Sequence, residues 1–339
     1  MPCFEMKAGE KRYQEISFLR GFSITTVILM HLIQVYVLNG EIPGWLRTLS
    51  SLGGTGGHMF VFCSGFGLYL SWLRRPVTFP VFLKKRFVKI YLPYIIIVVL
   101  SWLSVWYWSG ACMWRPLLSH VLLYKMFFEK YEISFGLHLW FLSTIIQLYL
   151  LFVPLCRLRE RTGLWKLVTL SVLLSMLWWI FTTATGLSAK RIWGSFCLQY
   201  LWEFVLGMAT AEYLSEKNLR IPLTVLLPTT AAGLGLQALM SRLGGWAAAF
   251  NDLPGFFGYA SLVILLYMYG ERILRPLFLW VDTLSYEWFL VHVLIFSNFY
   301  GVMRAFIGNE LLLAVGAVSV SLLAAWAFAW ILKKLRLKQ

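Results

Sequence analysis

The chain has 339 residues, of which 60% are hydrophobic and only 13% charged, with 17 tryptophans and a mean hydropathy of +0.72. A soluble globular chain sits nearer about 45–50% apolar and about 25% charged, so these values exclude one and specify a polytopic membrane protein. The formal net charge of +15 does not point to nucleic acid, because the basic residues stand in clusters between apolar stretches, as membrane topology places them.

Residues 1–14 form a short polar leader with Lys7, Lys11 and Arg12, and no cleavable signal is evident. Ten apolar spans are then predicted, over 16–38, 53–72, 91–109, 138–155, 167–184, 193–214, 221–240, 254–270, 284–305 and 310–332. The second is glycine-rich (GGTGGHMFVFCSGFGLYLSW), a composition that permits close helix–helix approach. The break before span three holds Arg74, Arg75, Lys84, Lys85, Arg86 and Lys89. The 110–137 connection mixes charged and apolar residues, as an interfacial helix or a partly buried segment would. GERILRP, before span nine, reads as a connection, and 333–339 as a basic tail. The five cysteines are scattered and form neither a C-x-x-C pair nor a metal-ligand spacing. The fold class is therefore an all-α polytopic membrane protein of about ten transmembrane helices, one membrane domain over 1–339.

Ten spans return the chain to its starting side. The leader, the even-numbered breaks and the tail hold about 21 of the 30 Lys and Arg, against about eight in the odd-numbered breaks. Both termini, the 1–14 leader and the 333–339 tail are thus predicted cytoplasmic.

Within the first span, EISFLRGFSITTVILMHLIQ carries a cation, Arg20, and an imidazole, His31. Ionisable groups inside a membrane segment are expensive and read as functional by default. Eleven residues at about 100° each pass three full turns by only about 20°, so both side chains share one helix face, about 16 Å apart along the axis. A cation near the cytoplasmic end and a titratable base deeper on the same stripe suit a site that grips an anionic carrier and does chemistry below it.

Six short motifs follow in order: FLRG-x9-H (Arg20 to His31), FVFCSGF (60–66), KKRFVKIYLPY (84–94), HLWFL (138–142), FVLGM (204–208) and LSYEWFLVH (284–292). Together, and on a ten-span pattern, they resemble the membrane-bound acyltransferase-3 family, marked by an Arg and a His ten residues apart in the first span. The resemblance covers nearly the whole chain. It implies transfer of an acyl group, most often acetyl, from cytoplasmic acyl-CoA to an acceptor hydroxyl, commonly on a cell-surface carbohydrate. It also implies that His31 is the catalytic residue, as general base or acyl carrier, and that Arg20 supports the CoA. The family usually has Arg where Lys89 stands, and commonly an acid where Ser17 stands; if that acid orients Arg20, either Glu15 replaces it or the function is absent here.

Arg86, Lys89 and Lys85 form a second candidate phosphate clamp, with topology and anionic lipid as the competing explanation. His58, Ser64, His138, Trp140, Glu203 and His292 are candidates for substrate contact or support, each with a structural alternative. His138 is either a site residue or part of an interfacial belt. Glu203 is expected to orient a histidine or to pair with Arg20 or Arg191, and Glu287 to have a partner, since a lone carboxylate is costly in lipid. Trp193, Trp202 and Trp246 are candidate sugar-stacking residues. His120, in a connection, is expected at the surface.

The function expected is an integral-membrane O-acyltransferase, acetyl-CoA dependent and without a metal, modifying a hydroxyl of a cell-envelope carbohydrate or lipid-linked glycan in a bacterial-type cytoplasmic membrane. Membrane lipid is an expected partner and nucleic acid is not; a homo-oligomer is left open. The chain is expected to lack an appended hydrolase-like domain. The alternative is a multi-span transporter using the buried Arg, His and Glu residues as a substrate or proton path; a third reading is an inactive scaffold that binds CoA without turnover.

Overall fold

The structure, a computed structural model, describes residues 3–37 and 44–335. The turn after the first span and the last four residues of the tail lie outside the described residues. A strand β1 (Cys3–Met6) precedes α1 (Gln14–Val37), α2 (Gly44–Arg74) and α3 (Phe79–Arg86). A π-helical turn, Phe87–Tyr91, joins α3 without a break to α4 (Leu92–Ser109). Then come α5 (Trp114–Val121), α6 (Trp140–Thr162), α7 (Leu164–Ala184), α8 (Arg191–Gly194) and α9 (Cys197–Glu216). A strand β2 (Leu219–Pro222) leads to α10 (Leu223–Leu243), α11 (Gly245–Ala249), α12 (Asp252–Tyr269), α13 (Leu274–Asp282), α14 (Ser285–Met303) and α15 (Glu310–Lys334).

Among the described residues, seven helices are long and apolar enough to cross a membrane, or up to eight if the bent pair α13–α14 is one span. The protein is nearly all helical, as the hydropathy pattern implies. Helices α2 and α9, predicted as spans two and six, are not among the seven, although they have 31 and 20 residues. The reason is their position. They pack on each other along their length, and α9 buries Glu203 entirely, so their surfaces meet protein and need not be apolar all round.

Glycine sets that closeness. A Cβ at Gly65 would collide with the carbonyl of Phe204 on α9, and one at Gly207 with the carbonyl of Phe62 on α2. Gly53 and Gly56 lie equally close to the Thr26 and Ser23 carbonyls of α1, where a Cβ would stand 2.5 and 2.8 Å away. The small residues that read as packing positions are used as such.

Two expectations change. The third span starts at Phe79 rather than 91, because Pro80 sits in the first turn of a helix that runs on through the basic cluster. GERILRP is not only a connection: its end begins α13, which meets α14 at an 80° bend. The polar leader contains β1, which pairs antiparallel with β2, Phe4 opposite Ile221 and Glu5 opposite Arg220. The 110–137 connection contains α5, as its mixed composition suggested.

Candidate active site

A cavity of about 660 Å³ is enclosed by α1, α2, the Phe79–Ser109 helix, the start of α6, α12 and the α13–α14 bend. That volume falls within the range of small-molecule sites. Arg20, Val27, His31 and Gln34 line it from α1, the stripe that the helical period predicts. One end gathers Arg20, Arg86, Lys89, Asp282 and Tyr286; the other holds Gln34, Arg191, Ser241, Asn251 and Asp252.

At the basic end, Arg20 Nε lies 2.9 Å from Asp282 Oδ1. Asp282 is buried and also lies 3.5 Å from Arg12, whose guanidinium reaches Ser17 Oγ at 3.3 Å. Asp282, at the end of α13, is therefore the acid that orients Arg20. Glu15 does not replace the missing family acid: it lies instead among Tyr267, Arg275 and Glu10. Arg86 sits over Phe82 and Tyr149, 5.6 and 6.0 Å from their ring centres, which fixes a guanidinium that would otherwise swing freely. Lys89 lines the cavity one turn on, whereas Lys85 is exposed and lies outside it.

Deeper, His31 Nδ1 is 2.9 Å from His292 Nε2, with the rings stacked at 5.0 Å. His292 Nδ1 faces the carbonyl oxygens of Trp288 at 3.0 Å and Phe289 at 2.8 Å. Facing two acceptors, that nitrogen must carry the ring proton, so His292 Nε2 is an acceptor. His31 Nδ1 then donates to it, and the lone pair of His31 rests on Nε2. A buried acceptor behind a histidine that fixes its tautomer is the wiring of a general base. His138 packs edge-on against this pair, 6.0 Å from the His31 ring and 4.7 Å from His292. It is buried and lines the cavity, so it is no interfacial belt residue.

A second cluster faces the same cavity from α2. His58 Nδ1 is 2.6 Å from Glu203 Oε1 and His58 Nε2 is 3.4 Å from Asp252 Oδ1. Both ring nitrogens thus face carboxylates, Nδ1 at hydrogen-bond distance. Glu203 pairs with His58 and with neither Arg20 nor Arg191, and it lies behind the cavity wall rather than in it. Ser64 and Glu287 line the cavity. So does Trp140, stacked on Tyr200 at 5.7 Å with the Arg191 guanidinium 4.8 Å from its ring centre. Trp193, Trp202 and Trp246 do not line it. Trp202 is buried against Trp179 and Phe256, Trp193 packs on Trp178, and Trp246 is exposed.

A profile of one protein family, described as "Acyltransferase domain", matches residues 13–330, nearly the whole chain. The chain belongs to the acyltransferase-3 family. No curated protein and no solved structure gives a significant match. The family establishes a membrane acyltransferase, and His31, Arg20, Arg86 and Lys89 all line this one cavity of it.

The connection preceding α6 is built more firmly than its sequence implies. His120 is fully buried, not at the surface. Its Nδ1 accepts from Tyr94 Oη at 2.7 Å, and its Nε2 donates to Ser134 at 3.0 Å. Burial and the neighbouring Lys125 cation push its pKa down to about 3. Lys125, also buried, donates to the carbonyls of Ser134 and Gly136, each at 3.1 Å. Desolvation lowers its pKa to about 7, with Glu132 opposing the shift. Sequence reasoning also overlooked Asp282 and Asp252. Both are lone acids at the edges of apolar runs, and that is the signal that would have found them.

Proposed function

We propose that this acyltransferase moves an acyl group, in the first instance acetyl, from cytoplasmic acyl-CoA to a hydroxyl of a cell-envelope carbohydrate or lipid-linked glycan. The observation that carries the reading is His31, backed by His292, on the wall of a cavity that Arg20, Arg86 and Lys89 also line. CoA is a multiply charged anion with its thioester on a long flexible arm. Arg20, Arg86 and Lys89 hold its phosphates at the basic end, and the arm runs the ~16 Å along α1 to His31. His31 Nε2 takes the acceptor's proton as its oxygen attacks the thioester carbon; the C–S bond breaks and the proton passes to the departing CoA thiolate. The same nitrogen also suits a route in which it carries the acyl group between two half-reactions. In this reading the acceptor enters from the Arg191–Asp252 end. All ten long helices cross a bacterial-type cytoplasmic membrane, α2 and α9 shielded by their neighbours, with both termini cytoplasmic. The family match favours this chemistry over the transport alternative.

Purified protein in nanodiscs, given acetyl-CoA labelled in the acetyl group, tests the proposal. Wild type is expected to bind acetyl-CoA by calorimetry and to transfer label to an envelope extract or to itself, and His31→Ala to lose the transfer. Intact transfer in His31→Ala refutes the role of His31, and absence of acetyl-CoA binding in wild type refutes the donor. Mass spectrometry of surface glycans with and without the protein tests the acceptor; an unchanged glycan profile refutes it.

A further inference from the structure

His138 is the one histidine of the cavity with no internal use. Its ring is 2% exposed, and neither ring nitrogen has a hydrogen-bond partner among the described residues. The Leu290 backbone lies close to the ring, but its alignment falls short of hydrogen-bond geometry. Leaving buried polar atoms unpaired costs about 1–3 kcal/mol each, and folded proteins seldom do it without a reason.

The chain also goes to some lengths to place this ring. Phe135 is held at φ 54°, in the left-handed region, and Gly136 follows at φ 130°. A Cβ at Gly136 would stand 2.7 Å from His138 Cε1 and 2.9 Å from Nδ1, so only glycine admits the ring where it lies. The turn is tied from behind by Lys125 and His120 through the Ser134 and Gly136 backbone. Strain of this kind, paid for by a dedicated buried network, collects where a side chain must be held for a ligand.

We propose that the ring N–H of His138 donates to the thioester carbonyl oxygen of the acyl donor and stabilises the oxyanion that forms there. The assignment rests on the acyl-transfer reading above. A neutral imidazole offers one N–H, and His138 lies 6.0 Å, ring centre to ring centre, from the histidine that activates the nucleophile. As the acceptor oxygen bonds to the carbonyl carbon, the C=O electron pair moves onto oxygen; it returns when the C–S bond breaks and CoA leaves as thiol. His138 neither gains nor loses a proton. The oxyanion arises whether the attacking atom is an acceptor oxygen or His31 Nε2, so the role is common to both routes. Lys125 is then a positioning residue, acting through the turn.

The test reads the bound donor rather than turnover alone. Acetyl-CoA carrying ¹³C at the thioester carbonyl is bound to the protein in nanodiscs and its carbonyl stretch recorded by isotope-edited infrared spectroscopy. Wild type and His31→Ala should both shift the band to lower frequency than free acetyl-CoA. His138→Leu should lose the shift while still binding acetyl-CoA, and His138→Gln, which retains an N–H donor, should recover part of it. Transfer should fall by about 10²–10³-fold in kcat for His138→Leu, as when one oxyanion donor is removed. An unshifted band in wild type that nevertheless binds acetyl-CoA refutes the proposal, as does a shift that survives His138→Leu. No binding of acetyl-CoA by wild type overturns the donor assignment itself, which is a different failure.

Discussion

His292 is the sharpest point at which to perturb the enzyme. It is fully buried, donates Nδ1–H to its own helix and offers Nε2 to His31 at 2.9 Å. In His292→Leu the His31 Nδ1–H loses its acceptor, and either nitrogen of His31 can then carry the proton. The lost interaction, together with the unpaired buried donor, is worth about 1–3 kcal/mol. At about 1.4 kcal/mol per factor of ten, that is roughly a 5- to 150-fold fall in kcat. The acetyl-CoA Kd should not change, because Arg20, Arg86 and Lys89, the residues proposed to hold its phosphates, do not touch His292. His292→Gln supplies an amide oxygen of similar reach and should recover much of the loss by holding the same tautomer. The assay is release of CoA thiol during transfer, with Kd from calorimetry on the same preparations. A Leu variant that turns over like wild type, or a Gln variant no better than Leu, would show that His292 does not wire His31.

Other perturbations separate the remaining parts. Arg20→Ala should weaken acetyl-CoA binding by roughly 10- to 150-fold, the worth of about 1.5–3 kcal/mol for a hydrogen bond to a charged group, and Asp282→Asn by less; equal loss of kcat at saturating donor would contradict a binding role. Gly65→Ala drives a Cβ into the Phe204 carbonyl and should lower thermal stability by about 1–3 kcal/mol, whereas Gly57→Ala, whose Cβ meets nothing within 4 Å, should leave it unchanged or slightly raised. Stability should also depend on pH through Lys125. Its folded pKa of about 7 lies below the unfolded value of 10.5, so between these values the unfolded chain binds the extra proton and stability rises with pH. Lys125→Met should be less stable overall, because two carbonyls lose their donor, and should lack that rise; a thermal melt series from pH 7 to about 10 that is parallel in both proteins refutes the assignment.

The sequence made the stripe of α1 legible because a helical period and two costly residues are local properties: Arg20 and His31 do line one cavity. It could not show what holds them. Asp282 and His292 lie more than 260 positions from their partners, and no spacing rule reaches that far. Ser17 pointed to a missing acid, but the replacement came from α13 rather than from the neighbouring Glu15, because the 80° bend between α13 and α14 delivers a buried carboxylate to the helix start. The tryptophan guesses failed for a related reason. Large aromatic residues pack helices together as readily as they meet ligands, and only the fold distinguishes Trp140, which borders space, from Trp202, which fills it.

Hydropathy misleads in a more instructive way at α2 and α9. These two helices carry Gly, His, Ser and Glu, which weaken a spanning signal, yet α2 supplies a stretch of the cavity wall from Gly53 to Ser71, α9 adds Tyr200, and the two share the His58–Glu203 pair. A helix wrapped by other helices is relieved of the need to face lipid, and only such a helix can hold buried charge opposite buried charge at acceptable cost. Helices α1 and Phe79–Ser109, which pass the apolar criterion, carry Arg20, His31, Arg86 and Lys89, while the less apolar α2 brings His58 and Ser64 to the same cavity. In this protein a weak spanning signal beside an ionisable residue therefore marks the interior of the bundle. Helix α9 carries the argument furthest: Glu203 is fully buried at its middle, while Gly207, one turn on, brings its backbone against α2. The contact that makes the helix insufficiently apolar for lipid is the contact that makes its carboxylate affordable.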